Sequence, residues 1–215
     1  MKTYTERQLR LRADILAAAR RLITRHGLEG VTMRELAQES GVAPKTLYHQ
    51  FGSKERLLIT AVEERFRDIY QQIDEARFEH GIDRLFYIID TVADTTRRNL
   101  EYGRALAPLL SSDSESPIGS IRRGVYRRAV IEIAAEKDFL AWVDAELMVS
   151  IIYQQMIAIS QARWYEGDKP KRPTFNLAKL DVCLILRATT RGYTHEKVTA
   201  FAETAQAEFR KARGY

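Results

Sequence analysis

The stretch "TMRELAQESGVAPKTLYHQFGSKERLL", Thr32 to Leu58, decides how this chain is read. It opens with a capping box, in which the Thr32 hydroxyl takes the backbone N–H of Glu35 and the Glu35 carboxylate reaches back. Gly41 ends that helix early, since glycine readily takes the left-handed conformation that closes a helix. Pro44 suits the first position of the next helix, where a missing N–H costs nothing. Gly52 ends this second piece within about two turns, and Ser53 caps a third. Met33, Leu36, Ala37, Val42, Leu47 and Phe51 fall where they bury against a preceding helix, leaving Lys45, Thr46 and His49 outward. Two short helices joined at a glycine turn, with an apolar inner side and a polar outer side, predict a helix-turn-helix.

In that motif the second helix enters the DNA major groove with its N-terminal residues toward the base edges. Lys45 suits guanine O6/N7 or a phosphate, and Thr46 suits a base or a phosphate. Tyr48 is expected to bury its ring and send its hydroxyl to a phosphate, and His49 to donate a ring N–H to one. Lys54 falls in the first turn of the following helix, where free backbone N–H groups already favour an anion. Thr32 and Pro44, which open the two short helices, complete the candidate DNA-binding set. The net charge of +5 lies entirely within residues 1–56, and residues 57–215 balance. A localised positive segment is the electrostatic footprint of a nucleic-acid partner. From spacing and charge alone, a plain solvated surface is the competing reading.

The run "GVAPKTLYHQFGSKERL" resembles the signature of the TetR family of transcriptional regulators, and the wider likeness begins at "ILAAARRLITRHGLEGVTMRELA". It covers residues 12–58; beyond about residue 65 the likeness is one of architecture. The resemblance implies an N-terminal three-helix DNA-binding domain, a larger helical ligand and dimer domain, and repression relieved by a small molecule. One position departs from it: Ala43 stands where the family often carries a serine that caps the helix and contacts phosphate.

Helical spacing dominates the rest. Ile15, Leu16, Ala19, Leu22 and Ile23 form one stripe before Gly27, with Thr5 and Gln8 placed to cap it. A long helix is expected from Lys54 to about Glu79. Others are expected at about 81–99, 103–110, 118–136, 142–166, 175–192 and 195–212, with loops at Ser111–Pro117 and Gly167–Pro173. Strand alternation is absent, so the predicted fold is all-α. The predicted domains are a helix-turn-helix domain over 1–56 and an effector-binding and dimerisation domain over 57–215. Helices 142–166 and 175–192 are apolar nearly all round and need burial all round. They are expected to pack against a second copy as a four-helix bundle, with Met148, Ile152, Ile159, Val182 and Leu186 at the interface. Burial within one chain is the competing reading. A homodimer also suits a palindromic operator, whose half-sites lie about 34–36 Å apart.

A ligand cavity is expected among the helices between 54 and 166. Its candidate residues are Phe66, Tyr70, Phe86, Tyr102, Tyr126, Tyr153, Met156 and Trp164, against the bland reading that aromatics at helical spacing are core. Asp90, Asp94 and Asn99 could orient a polar group, or face solvent. "RRGVYRR", Arg122–Arg128, could meet an acidic ligand or form a solvated face. An apolar or amphipathic effector is preferred.

No catalytic, cofactor or metal-binding motif stands out. His26, His49, His80 and His195 are scattered, and HExxH, P-loop, GxGxxG and GxSxG patterns are missing. Cys183 is alone and lies in an apolar stretch, where an inert thiol is the expectation. With 45% hydrophobic and 29% charged residues, no leader pattern and no apolar run of membrane-spanning length, a cytoplasmic protein is expected. Two other functions fit the residues: a constitutive or architectural DNA-binding protein, and a helical adaptor that binds protein through the short helices.

Overall fold

The computed structural model describes residues 5–111, 116–165 and 174–212. These form α1 (Glu6–Gly30), α2 (Met33–Ser40), α3 (Pro44–Phe51), α4 (Lys54–Glu75), α5 (Gly81–Arg98), α6 (Leu100–Ser111), α7 (Pro117–Ala135), α8 (Ala145–Tyr165), α9 (Thr174–Thr189) and α10 (Gly192–Ala212). Among the described residues there is no β-strand, only an isolated bridge between Phe139 and Thr190. The predicted loop at Gly167–Pro173, and most of that at Ser111–Pro117, lie outside the described residues.

The helix starts follow the chemistry of their caps. Thr5 with Gln8 and Thr32 with Glu35 form reciprocal capping boxes, and the Ser53 hydroxyl accepts the Arg56 N–H. Ala43 begins α3 with no side-chain cap bond. Gly27 breaks α1 with φ 71° and ψ 174°, a conformation open essentially to glycine alone, and helical turns resume as far as Gly30. α4 ends at Glu75, short of the expected Glu79, with Ala76 turning extended. α5 then begins at Gly81, where a Cβ would stand 2.6 Å from the Ile133 amide nitrogen. The missing side chain lets α5 and α7 approach closely there.

Two apolar clusters organise the chain. The first joins Ile15, Leu16 and Ile23 of α1 with Leu36 of α2, Leu47 and Phe51 of α3, and Leu57, Leu58, Ala61 and Val62 of α4. It also takes in Leu106, Ala107 and Leu110 of α6 and Ile118 of α7. The second joins Tyr70 and Ile73 at the far end of α4 with α5, α7, α8, α9 and α10. Phe66, midway along α4, packs against both. The expected boundary at 56/57 thus falls inside a helix whose first half belongs to the N-terminal core.

The residues expected at a dimer interface sit elsewhere. Met148, Ile152, Ile159, Val182 and Leu186 are all buried inside the second core of their own chain, between 0% and 8% exposed. Among the described residues, the large apolar side chains left open on the same two helices are Leu147, Ile151 and Leu184. An all-round apolar helix gives no phase, and the sequence reading chose the wrong side of it.

Polar groups lock the far end of the larger core. Arg84 is buried and donates to Glu132 at 2.6 Å and to the carbonyls of Ile73 and Ala76 at 3.4 Å. Asp138 accepts the backbone N–H of Thr194 at 2.8 Å, which ties the end of α7 to the start of α10. Among the described residues no helix is long and apolar enough to cross a membrane.

Candidate functional site

The first candidate site is the outer face of α3 and its flanks. Leu47 and Phe51 are buried against α1 and α4 and fix the helix in place. Burying side chains of this size contributes about 1.5–3 kcal/mol each. Lys45 and His49 project into solvent beside a half-buried Thr46, and Pro44 is exposed at the start of the helix. The expected burial of the Tyr48 ring is not seen: Tyr48 is 52% exposed, because its neighbour Leu47 takes the inward position. Ring and hydroxyl are both free to approach a ligand. Lys54 stands in the first turn of α4, beside backbone N–H groups that no earlier turn satisfies.

Charge pairing separates this face from α1. Arg12 bonds Glu64 at 2.7 Å, and Arg21 and Arg25 share Glu39 at 2.9 and 2.8 Å. Those contacts hold the Glu39 carboxyl below the usual carboxylate range. Among the described residues, no carboxylate pairs with Lys45, His49 or Lys54. Thr32 behaves differently from them. Its hydroxyl donates to Glu35 at 2.8 Å and its backbone N–H does so at 3.0 Å, which keeps the Glu35 carboxyl ionised to lower pH than usual. Both Thr32 donors are thus engaged in the cap, and a phosphate contact would have to compete with Glu35.

The second candidate site is a cavity among α4, α5, α6, α7 and α8, with a volume of about 80 Å³. It lies at the seam of the two cores. Leu106 and Leu110 line it while belonging to the N-terminal cluster, and Tyr70, Tyr126, Tyr153 and Met156 line it from the larger one. Of the eight side chains expected at a ligand site, six are brought together here: Phe66, Tyr70, Tyr102, Tyr126, Tyr153 and Met156. Phe86 is not, since it packs on Phe201 with ring centroids 5.5 Å apart and under the Lys179 ammonium. Trp164 lies outside the residues whose side chains are described.

Asn99 also lines the cavity, whereas Asp90 bonds Lys179 and Asp94 bonds Arg97. Sequence reasoning missed Arg65, Val92, Thr95 and Leu106 as lining residues, and it offered Arg122 only within a segment that could meet an acidic ligand or form a solvated face. Arg122 had a sharper signal. It precedes Val125 by three residues and Tyr126 by four, so it shares their inward face. Burial raises the phenols of Tyr70 and Tyr102 to about 12 and pushes Tyr126 further in the same direction, so all three stay protonated at neutral pH. No group of three His, Cys, Asp or Glu among the described residues is placed to hold a metal ion.

A short helix with exposed donors, held by an aliphatic core and followed by helices that enclose an apolar cavity, is the arrangement of a helix-turn-helix unit joined to a larger helical region. Residues 15–61 match the family model described as bacterial regulatory proteins, tetR family. Over 64 residues the chain is 34% identical to the HTH-type transcriptional repressor AcnR of Corynebacterium efficiens, covering 30% of this chain and 34% of that protein. The match therefore spans about a third of that relative's length. A bacterial regulatory protein of the tetR family from Rhodococcus RHA1 superimposes with a TM-score of 0.60 at 26% identity, over 85% of this chain and 98% of that one. The transcriptional regulator FadR from Bacillus subtilis, solved in complex with stearoyl-CoA, shares the fold with a TM-score of 0.64 at 20% identity, over 81% and 96%. The likeness to TetR-family regulators is thus one of sequence over residues 15–61 and of fold over most of the chain.

Proposed function

We propose that the protein is a homodimeric, cytoplasmic repressor that binds a palindromic operator through α3 and leaves it when a small molecule fills the cavity. The observation that carries this reading is the double membership of α6: Leu106 and Leu110 wall the cavity and pack in the same cluster as Ile15 and Leu47. A ligand that changes the position of α6 therefore acts on the support of the DNA reader. Such a ligand releases DNA only if it binds the mis-spaced form more tightly, in proportion to that difference.

Under this reading Lys45 and Thr46 face bases. Pro44 sets the start of α3, and Tyr48, His49 and Lys54 hold phosphates. Thr32 contributes mainly as a cap. The two-fold axis runs by the open sides of α8 and α9, where Leu147, Ile151 and Leu184 supply apolar surface to a second copy. The AcnR match, a named repressor, supports the sign of regulation. The stearoyl-CoA complex of FadR supports an amphipathic effector.

The test is a mobility-shift titration of the full chain on DNA upstream of its own gene, across salt. The expected result is a complex on a palindrome whose affinity falls steeply with salt. Binding that ignores sequence and salt contradicts the reading. Sedimentation at micromolar concentration checks the dimer, and a monomer there would count against the paired readers.

A further inference from the structure

The segment "RRGVYRR" of α7 carries four guanidinium groups, and three of them bond side chains of α4 or α8 away from the cavity. Arg123 donates to the Ser150 hydroxyl at 3.0 Å, Arg127 pairs with Glu146, and Arg128 bonds Asp74 at 3.0 Å. Arg122 differs. It shares the inward face of α7 with Ile118, Val125, Tyr126 and Ala129, and it is only 8% exposed. It donates to the backbone carbonyl of Leu110 at 3.3 Å and reaches the Tyr70 hydroxyl, and among the described residues no carboxylate pairs with it. Its guanidinium carbon lies 5.9 Å from the Phe66 ring centroid and 5.8 Å from that of Tyr153. At such distances aromatic faces replace only a small part of the hydration that burial removes.

The surroundings do not supply the missing charge. Arg65 lines the same cavity, again with no described carboxylate paired to it, and no lining residue is Asp or Glu. Neutral donors are available instead. The Tyr102 hydroxyl is buried with no hydrogen-bond partner. The remaining walls are largely apolar, with Ile69, Val92, Leu106 and Met156 among them.

We propose that the cavity takes an organic monocarboxylate with an apolar body, its carboxylate held by Arg122 and its body packed on Ile69, Val92, Leu106 and Met156. The guanidinium then gains the counter-charge that the protein does not provide, in the forked geometry that suits a carboxylate. This deepens the effector reading above and rests on it.

The experiment uses the full chain and measures thermal unfolding and calorimetric binding. The probes are octanoate, decanoate, dodecanoate and 2-naphthoate, each below its micellar concentration, with the primary amide of each acid as the uncharged control. At least one carboxylate is expected to bind and raise Tm, and its amide to bind about ten-fold or more weaker. Arg122→Met is expected to weaken the carboxylate by about ten- to hundred-fold and leave the amide unchanged. If Arg122→Met does not fold, the acid-against-amide comparison on the unaltered protein decides alone. Equal affinity for acid and amide, an unaffected Arg122→Met, or no binding by any of the four acids overturns the proposal. A carboxylate that binds through Arg122 yet leaves DNA bound keeps the anion site and removes the effector reading. An amide that binds and releases DNA as well as its acid does the reverse.

Discussion

The two cores solve opposite problems. Around α1–α3 the buried side chains are aliphatic or phenylalanine, and the ionisable groups stand outside, several of them in exposed pairs such as Arg21 and Arg25 with Glu39. Around the cavity the interior holds phenols and the Arg122 guanidinium beside empty space. The first arrangement favours rigidity, which an element that positions donors in a groove requires. The second gives up packing and solvation, and a bound molecule can restore both. The difference separates a close-packed end from one with room for a small molecule, with Phe66 and α6 touching both.

Substitutions should separate the two ends, and the largest effect belongs to the reader. Leu47→Ala should destabilise by about 2–5 kcal/mol, read by chemical denaturation, and abolish DNA binding. A loss under about 1 kcal/mol would mean that α3 is not anchored by this core. Next in size are the proposed DNA contacts. Lys45→Ala should cost about 1–3 kcal/mol of operator affinity and relax discrimination at one base position. Tyr48→Phe should weaken every sequence alike and leave stability unchanged, since the ring is exposed. Equal affinity for Tyr48→Phe and the parent would remove its phosphate role. Ala43→Ser should add the cap that α3 lacks and stabilise by roughly 0.5–1 kcal/mol. The smallest change is Tyr102→Phe, which removes a buried hydroxyl with no partner and should be neutral or slightly stabilising until an anionic ligand is present.

pH should act on the two ends from opposite sides. Glu35 and Glu39 have folded pKa values below the unfolded value. Their contribution is present above about pH 4.3 and is lost as pH falls through the folded value. Tyr70, Tyr102 and Cys183 are each raised to about 12. Above pH 9 for the thiol and 10 for the phenols, the unfolded chain releases protons that the folded chain keeps. Stability from these groups is therefore full below pH 9 and declines as pH rises toward 12. Melting followed by circular dichroism across both ranges checks this, and flat stability between pH 9 and 12 would contradict the burial of these groups.

What could be read from the sequence divides along the same line. Thr32, Glu35, Gly41, Pro44 and Ser53 act on neighbours within a few residues, so their spacing alone gives the short helices and the outward Lys45 and His49. The cavity depends on which faces of five helices meet. The aromatics Phe66, Tyr70, Tyr126 and Tyr153 marked it, but Val92, Thr95 and Arg65 carry no local signal of it. α8 and α9 are apolar on nearly every side, so nothing in their pattern distinguishes Ile152, inside the chain, from Ile151, on its surface. Arg122 was left ambiguous for another reason: four arginines in seven residues read as an acid-binding segment or a solvated face, and only the register with Val125 and Tyr126 singles one out.

The most direct test of the coupling between the ends measures a cavity ligand on free and on DNA-bound protein. The account predicts reciprocity: the ligand weakens operator affinity by the same factor by which operator DNA weakens ligand affinity, and Arg122→Met abolishes both effects for a carboxylate ligand. A ligand that fills the cavity with equal affinity whether or not DNA is bound would contradict it.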